Sequence, residues 1–260
     1  MLRIAAFSTA ALALSVSASA AAPAIGLVGD KTLVMFDTET LEVSGATELL
    51  GVERLLGIDM RPADGTLVGV TEDFRVLELD IEGQTAREMS RMDTPLPVSD
   101  MPVIVDFNPM ADKLRFMTGT TNHRVDVDTG AVTVDGSLAF EGNDMHAGEA
   151  PAIVAAAYIN SYGKPEGTAM YDIDSTIIAL IQQTSPNDGT LAAIGKLGLD
   201  APSETYAFDI ETSAELENTG WLVNGNTLYT VDLESGMATE KGSLAGINGE
   251  IRDITVLHEM

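Results

Sequence analysis

Cysteine is absent from the 260 residues. No disulfide can hold this fold, no thiolate chemistry is available, and there is no C-x-x-C-H haem attachment. Aromatics are scarce, at 5% with one tryptophan, Trp221, which leaves little from which to build a sugar-stacking surface. Cations are scarce too: 14 Lys and Arg stand against 40 Asp and Glu, for a net charge of −26. Such a surface repels phosphate backbones, so nucleic acid and anionic membranes are poor partners. It suits cations, basic proteins or simple solubility. Also missing are G-x-S-x-G, a P-loop and H-E-x-x-H. The Asp126/Asp128 and Asp172/Asp174 pairs lack the rest of a calcium-binding EF-hand loop.

No run is long enough for a bilayer span, which needs about 20 apolar residues. The opening "MLRIAAFSTAALALSVSASA" has one early cation, Arg3, then an Ala-rich apolar stretch, and ends with Ala18 and Ala20 spaced as A-x-A. This pattern reads as an export signal over residues 1–20. A single domain over 21–260 is expected to follow, periplasmic or extracellular and monomeric. That length suffices to bury a core without crosslinks.

What is present is a repeat. Short apolar runs alternate with Gly, Asp, Asn and Pro turns, the mark of many short strands. "EVSGATEL" (42–49), "TAREMSRM" (85–92), "AVTVDGSL" (131–138), "TLAAIGKL" (190–197) and "MATEKGSL" (237–244) align as one column. The strands before them end in Asp37, Asp80, Asp128 and Asp232, each placed to accept a backbone N–H two residues on and close a hairpin. The fourth unit departs, with a longer turn through Asn187, Asp188 and Gly189; its "YDID" (171–174) fits as the strand before. A third column is "LLGIDMR" (55–61), "VIVDFNP" (103–109), "IVAAAYIN" (153–160), "TYAFDIE" (205–211) and "IRDITVL" (251–257). One further strand per unit makes four antiparallel strands, the content of a propeller blade. Residues 25–49 supply three strands without an inner one, and "IRDITVL" is an inner strand with no followers. Joined, they predict an all-β, five-bladed β-propeller closed by pairing of its N-terminal strands with its C-terminal strand, an arrangement that hides the sheet edges.

The phrases "LLGIDMRPADGTL", "VDFNPMADKLRFM", "VDVDTGAVTVDGSLAF", "AAAYIN" and "SPNDGTLAAIGKLG" resemble, in series over about residues 25–257, the bacterial family called domain of unknown function 4394. The resemblance implies an exported, repeat-built β domain and brings no catalytic residue. Similar members tend to carry Asn where this chain has His146, so no role for that His follows from the family.

Candidate chemistry sits on the inner strands. Asp59, Asp106, Asp209 and Asp253 stand at what read as matching places, with Ala157 in the fourth unit. Carboxylates around one channel repel, so protons, a cation or hydrogen bonds must hold them. Hard oxygen ligands suit Ca²⁺ or Mg²⁺; bonds to the next blade's backbone would make them struts instead. Arg61 and Asn108, two residues on, are candidate partners. The loop "FEGNDMHAGEAP" (140–151) groups Asn143, Asp144, His146 and Glu149 on the expected channel-mouth face, as a ligand site or a capped turn. His123 and His258 stand alone. The leading expectation is a non-enzymatic acidic platform for a protein or small ligand. The alternative is a glycosidase-like hydrolase using channel carboxylates, with Glu149 or Glu204 as acid.

Overall fold

The computed structural model describes residues 22–97 and 101–257. The export signal and His258 lie outside the described residues. In chain order the strands are β1 (Pro23–Val28), β2 (Thr32–Asp37) and β3 (Val43–Glu48); β4 (Leu55–Met60), β5 (Leu67–Thr71), β6 (Arg75–Asp80) and β7 (Thr85–Arg91); β8 (Val103–Asn108), β9 (Lys113–Thr118), β10 (Thr121–Val125) and β11 (Val132–Val134). Then come β12 (Ala139–Phe140), β13 (Ile153–Tyr158), β14 (Met170–Asp174), β15 (Ala179–Ser185) and β16 (Thr190–Lys196); β17 (Tyr206–Thr212), β18 (Asn218–Asn224), β19 (Thr227–Val231) and β20 (Ala238–Ser243); and finally β21 (Ile251–Val256).

These strands form five separate sheets. Blade 1 runs β21-β1-β2-β3, blade 2 β4 to β7, blade 3 β8 to β11, blade 4 β13 to β16 and blade 5 β17 to β20. The inner strands β21, β4, β8, β13 and β17 pack in that order and close on one another. The fold is a five-bladed β-propeller, and blade 1 closes it: β21 pairs antiparallel with β1, placing Ala24 opposite Val256 and Leu27 opposite Asp253. Blade 4 carries a fifth strand, the short β12, which runs parallel to β16.

The core is divided among the seams between blades. Strand side chains alternate between two faces, and in a propeller both faces of a blade meet a neighbour. In blade 1, Ile25, Leu27 and Leu33 pack with Leu55, Ile58 and Leu77 of blade 2. The alternate residues Ala24, Val34 and Phe36 pack with Trp221, Val223 and Leu228 of blade 5. Equivalent clusters fill the other three seams. Burial is therefore total along β13 and falls to an alternating half-exposed pattern on the outer strand β3.

The turns follow a common device. Asp37 Oδ1 accepts the N–H groups of Glu39 and Thr40 at 3.0 and 2.7 Å, and Asp232 does the same for Glu234 and Ser235. Two expectations are corrected. Asp80 takes the N–H of Gly83, three residues on. In blade 3 the turn is closed by Asp126, which accepts from Asp128 and Thr129, not by Asp128. The chain reverses one dipeptide earlier than "RVDVDTG" suggested, because β10 ends at Val125. Four residues after each turn-forming Asp the backbone goes left-handed: Leu41, Gln84, Gly130 and Gly236, and Ile178 after Asp174. A side chain in that conformation costs about 1–2 kcal/mol, so these Asp turns hold Leu41, Gln84 and Ile178 against local strain.

Candidate functional site: a ring of carboxyls between the blades

Each inner strand brings one side chain to the same level around the axis. Asp59 Oδ2 accepts the N–H of Phe107, on the next inner strand, at 2.6 Å. Asp106 Oδ1 accepts Tyr158 N–H at 2.9 Å, and Asp209 Oδ2 accepts Val256 N–H at 2.6 Å. The donor is always the residue after the next blade's own ring position: Phe107 follows Asp106, Tyr158 follows Ala157, Val256 follows Thr255. The rule makes Thr255 the ring residue of the closing blade, and its Oγ1 accepts the N–H of Met60, the residue after Asp59, at 3.2 Å.

Asp253 is therefore not the match it was read to be. It lies two residues earlier on β21, one pleat away, and its Oδ2 accepts Ile58 N–H at 2.7 Å in a second tier. Beside it Arg252 donates to the carbonyls of Gly29, Leu56 and Leu55. Together they fasten β21 to blade 2.

At the seam between blades 4 and 5, Ala157 has no acceptor to offer. The N–H of Ile210 turns to its own Asp209 Oδ1 at 2.6 Å. Backbone N–H groups of Asn160 and Ser161 reach Asn218 Oδ1 and Thr212 Oγ1 instead, at 2.8 and 2.9 Å.

The ring carboxyls are close together and dry. Asp59, Asp106 and Asp209 are 7%, 5% and 7% exposed, and one oxygen from each lies within 4.8 Å of the others. Among the described residues this is the group compact enough to surround an ion. Asp59 and Asp209, however, have both oxygens engaged. Asp59 Oδ1 accepts from Met60 N–H and from Thr255 Oγ1 at 2.7 and 3.0 Å, beside the Phe107 bond on Oδ2. Burial, then the Asp209 charge, pushes Asp59 well above the usual carboxylate range. Burial, then Asp59 and Asp209, does the same to Asp106. Burial raises Asp209 to about 6 and Asp253 to about 8. The cavity here, lined by Asp59, Met60, Ser161, Asp209, Ile210, Thr255 and Val256, has room for about one water-sized group.

The other candidates lie elsewhere. Arg61 and Asn108 do not partner the ring. Arg61 clamps Asp112 and Asp128 across blades 2 and 3, and Asn108 closes its own turn through Met110 and Ala111 N–H. The loop holding Asn143, Asp144, His146 and Glu149 docks on β16, the far side of blade 4 from its inner strand. Asp144 Oδ2 accepts Ala193 N–H at 2.8 Å, and its Oδ1 caps His146 N–H. His146 Nδ1 lies 3.1 Å from Glu149. The structure brings these residues together as a turn and does not bring them to the ring. His123 is buried on β10, and burial lowers its pKa.

Sequence reasoning missed a polar knot in the seam between blades 3 and 4. Arg115, 1% exposed, donates to Tyr158 Oη, Asn122 Oδ1, Asp135 Oδ2 and Asn187 Oδ1. Arg124 holds the same Asp135. Nearby Asp172, fully buried, is held by Gln183 Nε2, and burial raises it to about 7.

A closed ring of blades around buried, backbone-bound carboxyls defines the class: a small five-bladed propeller whose inner strands are joined by carboxyl-to-backbone hydrogen bonds. The model of the family described as domain of unknown function DUF4394 matches residues 32–255, and the chain belongs to that family. No curated protein matches it. Among solved structures it is similar to a structural-genomics protein of unknown function from Bacteroides thetaiotaomicron VPI-5482, at 13% identity and TM-score 0.52 over 89% of this chain and 63% of that one. It is also similar to a protein of unknown function from Bacteroides caccae (11% identity, TM-score 0.44, 85% and 72% covered). An auxiliary nutrient binding protein from Bacteroides ovatus ATCC 8483 aligns at 12% identity and TM-score 0.47, over 88% of this chain and 58% of that one. At these identities the likeness is one of fold. The chain spans 63% of the length of the first of these structures.

Proposed function

We propose that this chain is an exported, non-catalytic binding propeller, an acidic platform for a protein or a small ligand. The observation that carries the non-catalytic part is the commitment of the ring carboxyls. Each accepts a backbone N–H from the next inner strand. A glycosidase needs two carboxyls about 5–9.5 Å apart with a sugar between them; here one oxygen of each ring carboxyl lies within 4.8 Å of the others, and the cavity beside Asp59, Asp209 and Thr255 holds about one water-sized group. Calcium or magnesium would compete there with donors already in place, so we read the ring as struts.

The platform reading rests on the turns. Those joining the third and fourth strands of a blade share one face of the propeller. In four blades they carry acids two residues apart: Asp37 and Glu39, Asp80 and Glu82, Asp126 and Asp128, Asp232 and Glu234. Glu39, Asp126 and Asp128 are already paired with Lys241, Lys113 and Arg61, so the charge open to a partner sits chiefly on the turns of blades 2 and 5. This repeated charge suits a cationic partner and would steer it at low salt. Export is supported by the N-terminal pattern alone.

The test pairs a panel of chromogenic glycosides with thermal-shift titration by polycationic peptides. The expected result is no turnover and a saturable, salt-sensitive rise in melting temperature, since binding to the native state stabilises it. Hydrolysis that Asp106→Asn or Asp209→Asn abolishes in a folded protein would overturn the reading, as would the absence of any peptide-dependent shift at low salt.

A further inference from the structure

We propose that the closing blade is latched by protons: at neutral pH at least one carboxyl of the Asp59, Asp106 and Asp209 group stays a neutral acid, and losing that proton at alkaline pH frees β21 from its two neighbours before the other blades loosen.

Two features single out β21. Its sheet partner β1 comes from the other end of the described chain, so pairing rather than a hairpin turn holds it in blade 1. It is also the inner strand whose donors are taken by buried carboxyls of both neighbouring inner strands. Asp209 of β17 holds Val256 N–H, and Asp59 of β4 takes the Thr255 hydroxyl. Its own Asp253 holds Ile58 N–H on β4.

The groups facing this latch offer little compensation. The five inner strands contain one cation, Arg252, and its donors are engaged by carbonyls of blades 1 and 2. β13 presents Ala157 and the Tyr158 phenol, the latter bound to Arg115. β17 adds a further negative group, Glu211, near Asp209. β8 contributes Asp106 itself. Three dry carboxyls with oxygens within 4.8 Å of each other cannot all ionise without strong repulsion.

The direction of the pH effect follows. A carboxyl whose pKa is raised by folding binds its proton more tightly in the folded chain. Its stabilising contribution is whole below the unfolded value of 3.8 and is lost as pH rises through the folded value, which is about 6 for Asp209 and about 8 for Asp253. Asp172, at about 7, adds in the same direction from blade 4. His123, lowered by burial, acts oppositely and only below about its unfolded value near 6.5.

The experiment is hydrogen–deuterium exchange of the full chain between pH 6 and 8.5, corrected for base-catalysed chemical exchange, with melting curves alongside. We expect protection of the 251–257 segment to fall about tenfold or more while 75–80, on β6 away from the raised carboxyls, keeps its protection, and melting to drop by roughly 5–10 °C. In Asp106→Asn the amide oxygen still accepts Tyr158 N–H while one charge is gone, so protection of 251–257 should persist at pH 8.5. Unchanged protection of 251–257 across this range in the wild type, or its loss evenly in all blades, would overturn the latch. So would an Asp106→Asn protein that opens as the wild type does; should that variant not fold, the wild-type exchange decides alone.

Discussion

Arg115→Met is expected to lower stability by about 3–5 kcal/mol, the range for breaking a buried ion pair from one side. The pair is buried on both sides, with Arg115 and Asp135 side chains 1% and 4% exposed. Methionine fills much of the volume but donates nothing. It leaves the Tyr158 hydroxyl, Asn122 Oδ1 and Asn187 Oδ1 without the donor they now share. Asp135 keeps Arg124, which is why the loss should stay within that range. For a chain of this size the melting temperature should fall by on the order of 10 °C. Equilibrium denaturation measures it. A loss below about 1 kcal/mol, the scale of an exposed pair, would mean that the knot is wet in solution.

Gly130→Ala is expected to be the most damaging glycine substitution of the outer turns. The residue sits at φ 76°, and a β-carbon there would lie 1.9 Å from the Arg91 carbonyl oxygen of the neighbouring blade. That oxygen is backbone, so no rotamer change relieves the clash. The turn must move away from β7, breaking the Asp93 N–H bond to Gly130 O at 3.0 Å. Gly29 supplies the control, with φ 58° and nothing within 4 Å of the built β-carbon. Gly29→Ala should cost about 1–2 kcal/mol, the left-handed backbone penalty alone. Gly130→Ala should cost that and about 1–3 kcal/mol more, the scale of an overpacked contact. Melting of the two variants side by side checks it, and equal losses would show that this contact between blades 2 and 3 is loose.

Much of this architecture was legible in the chain. Four-strand periodicity, turn residues at fixed offsets and a lone inner strand at the end allow one closed arrangement, and the structure has it. The ring was read less well because the letter D was taken as the register mark. At the true ring positions the preceding residue is apolar: Ile58, Val105, Ala156, Phe208 and Ile254. Asp253 is preceded by Arg252, and that mismatch was the available signal that Thr255 holds the place. With no turn of its blade following β21 within the described residues, nothing else in "IRDITVL" marked the register. Arg115 escaped notice for another reason. Arginines are rarely buried, and only its position in "KLRFMT", a strand buried on both faces, hinted at an internal role. The loop at 140–151 carried residues that suit a ligand and a turn equally well. Its docking on β16 depends on β12, two residues long, which no periodicity reveals.

The account turns on the ring carboxyls acting as hydrogen-bond acceptors between blades, and Asp59 tests it most directly. It accepts from Phe107 and Met60 N–H and from the Thr255 hydroxyl. Asparagine retains one accepting oxygen, and alanine retains none. Melting of Asp59→Asn and Asp59→Ala at pH 5 should separate them. The strut account predicts a loss of about 2–4 kcal/mol for alanine, from unsatisfied buried donors, and less than about half of that for asparagine. Equal damage by both substitutions would mean that the negative charge itself is what the site needs, and an alanine variant as stable as the wild type would mean that the ring does not join the blades.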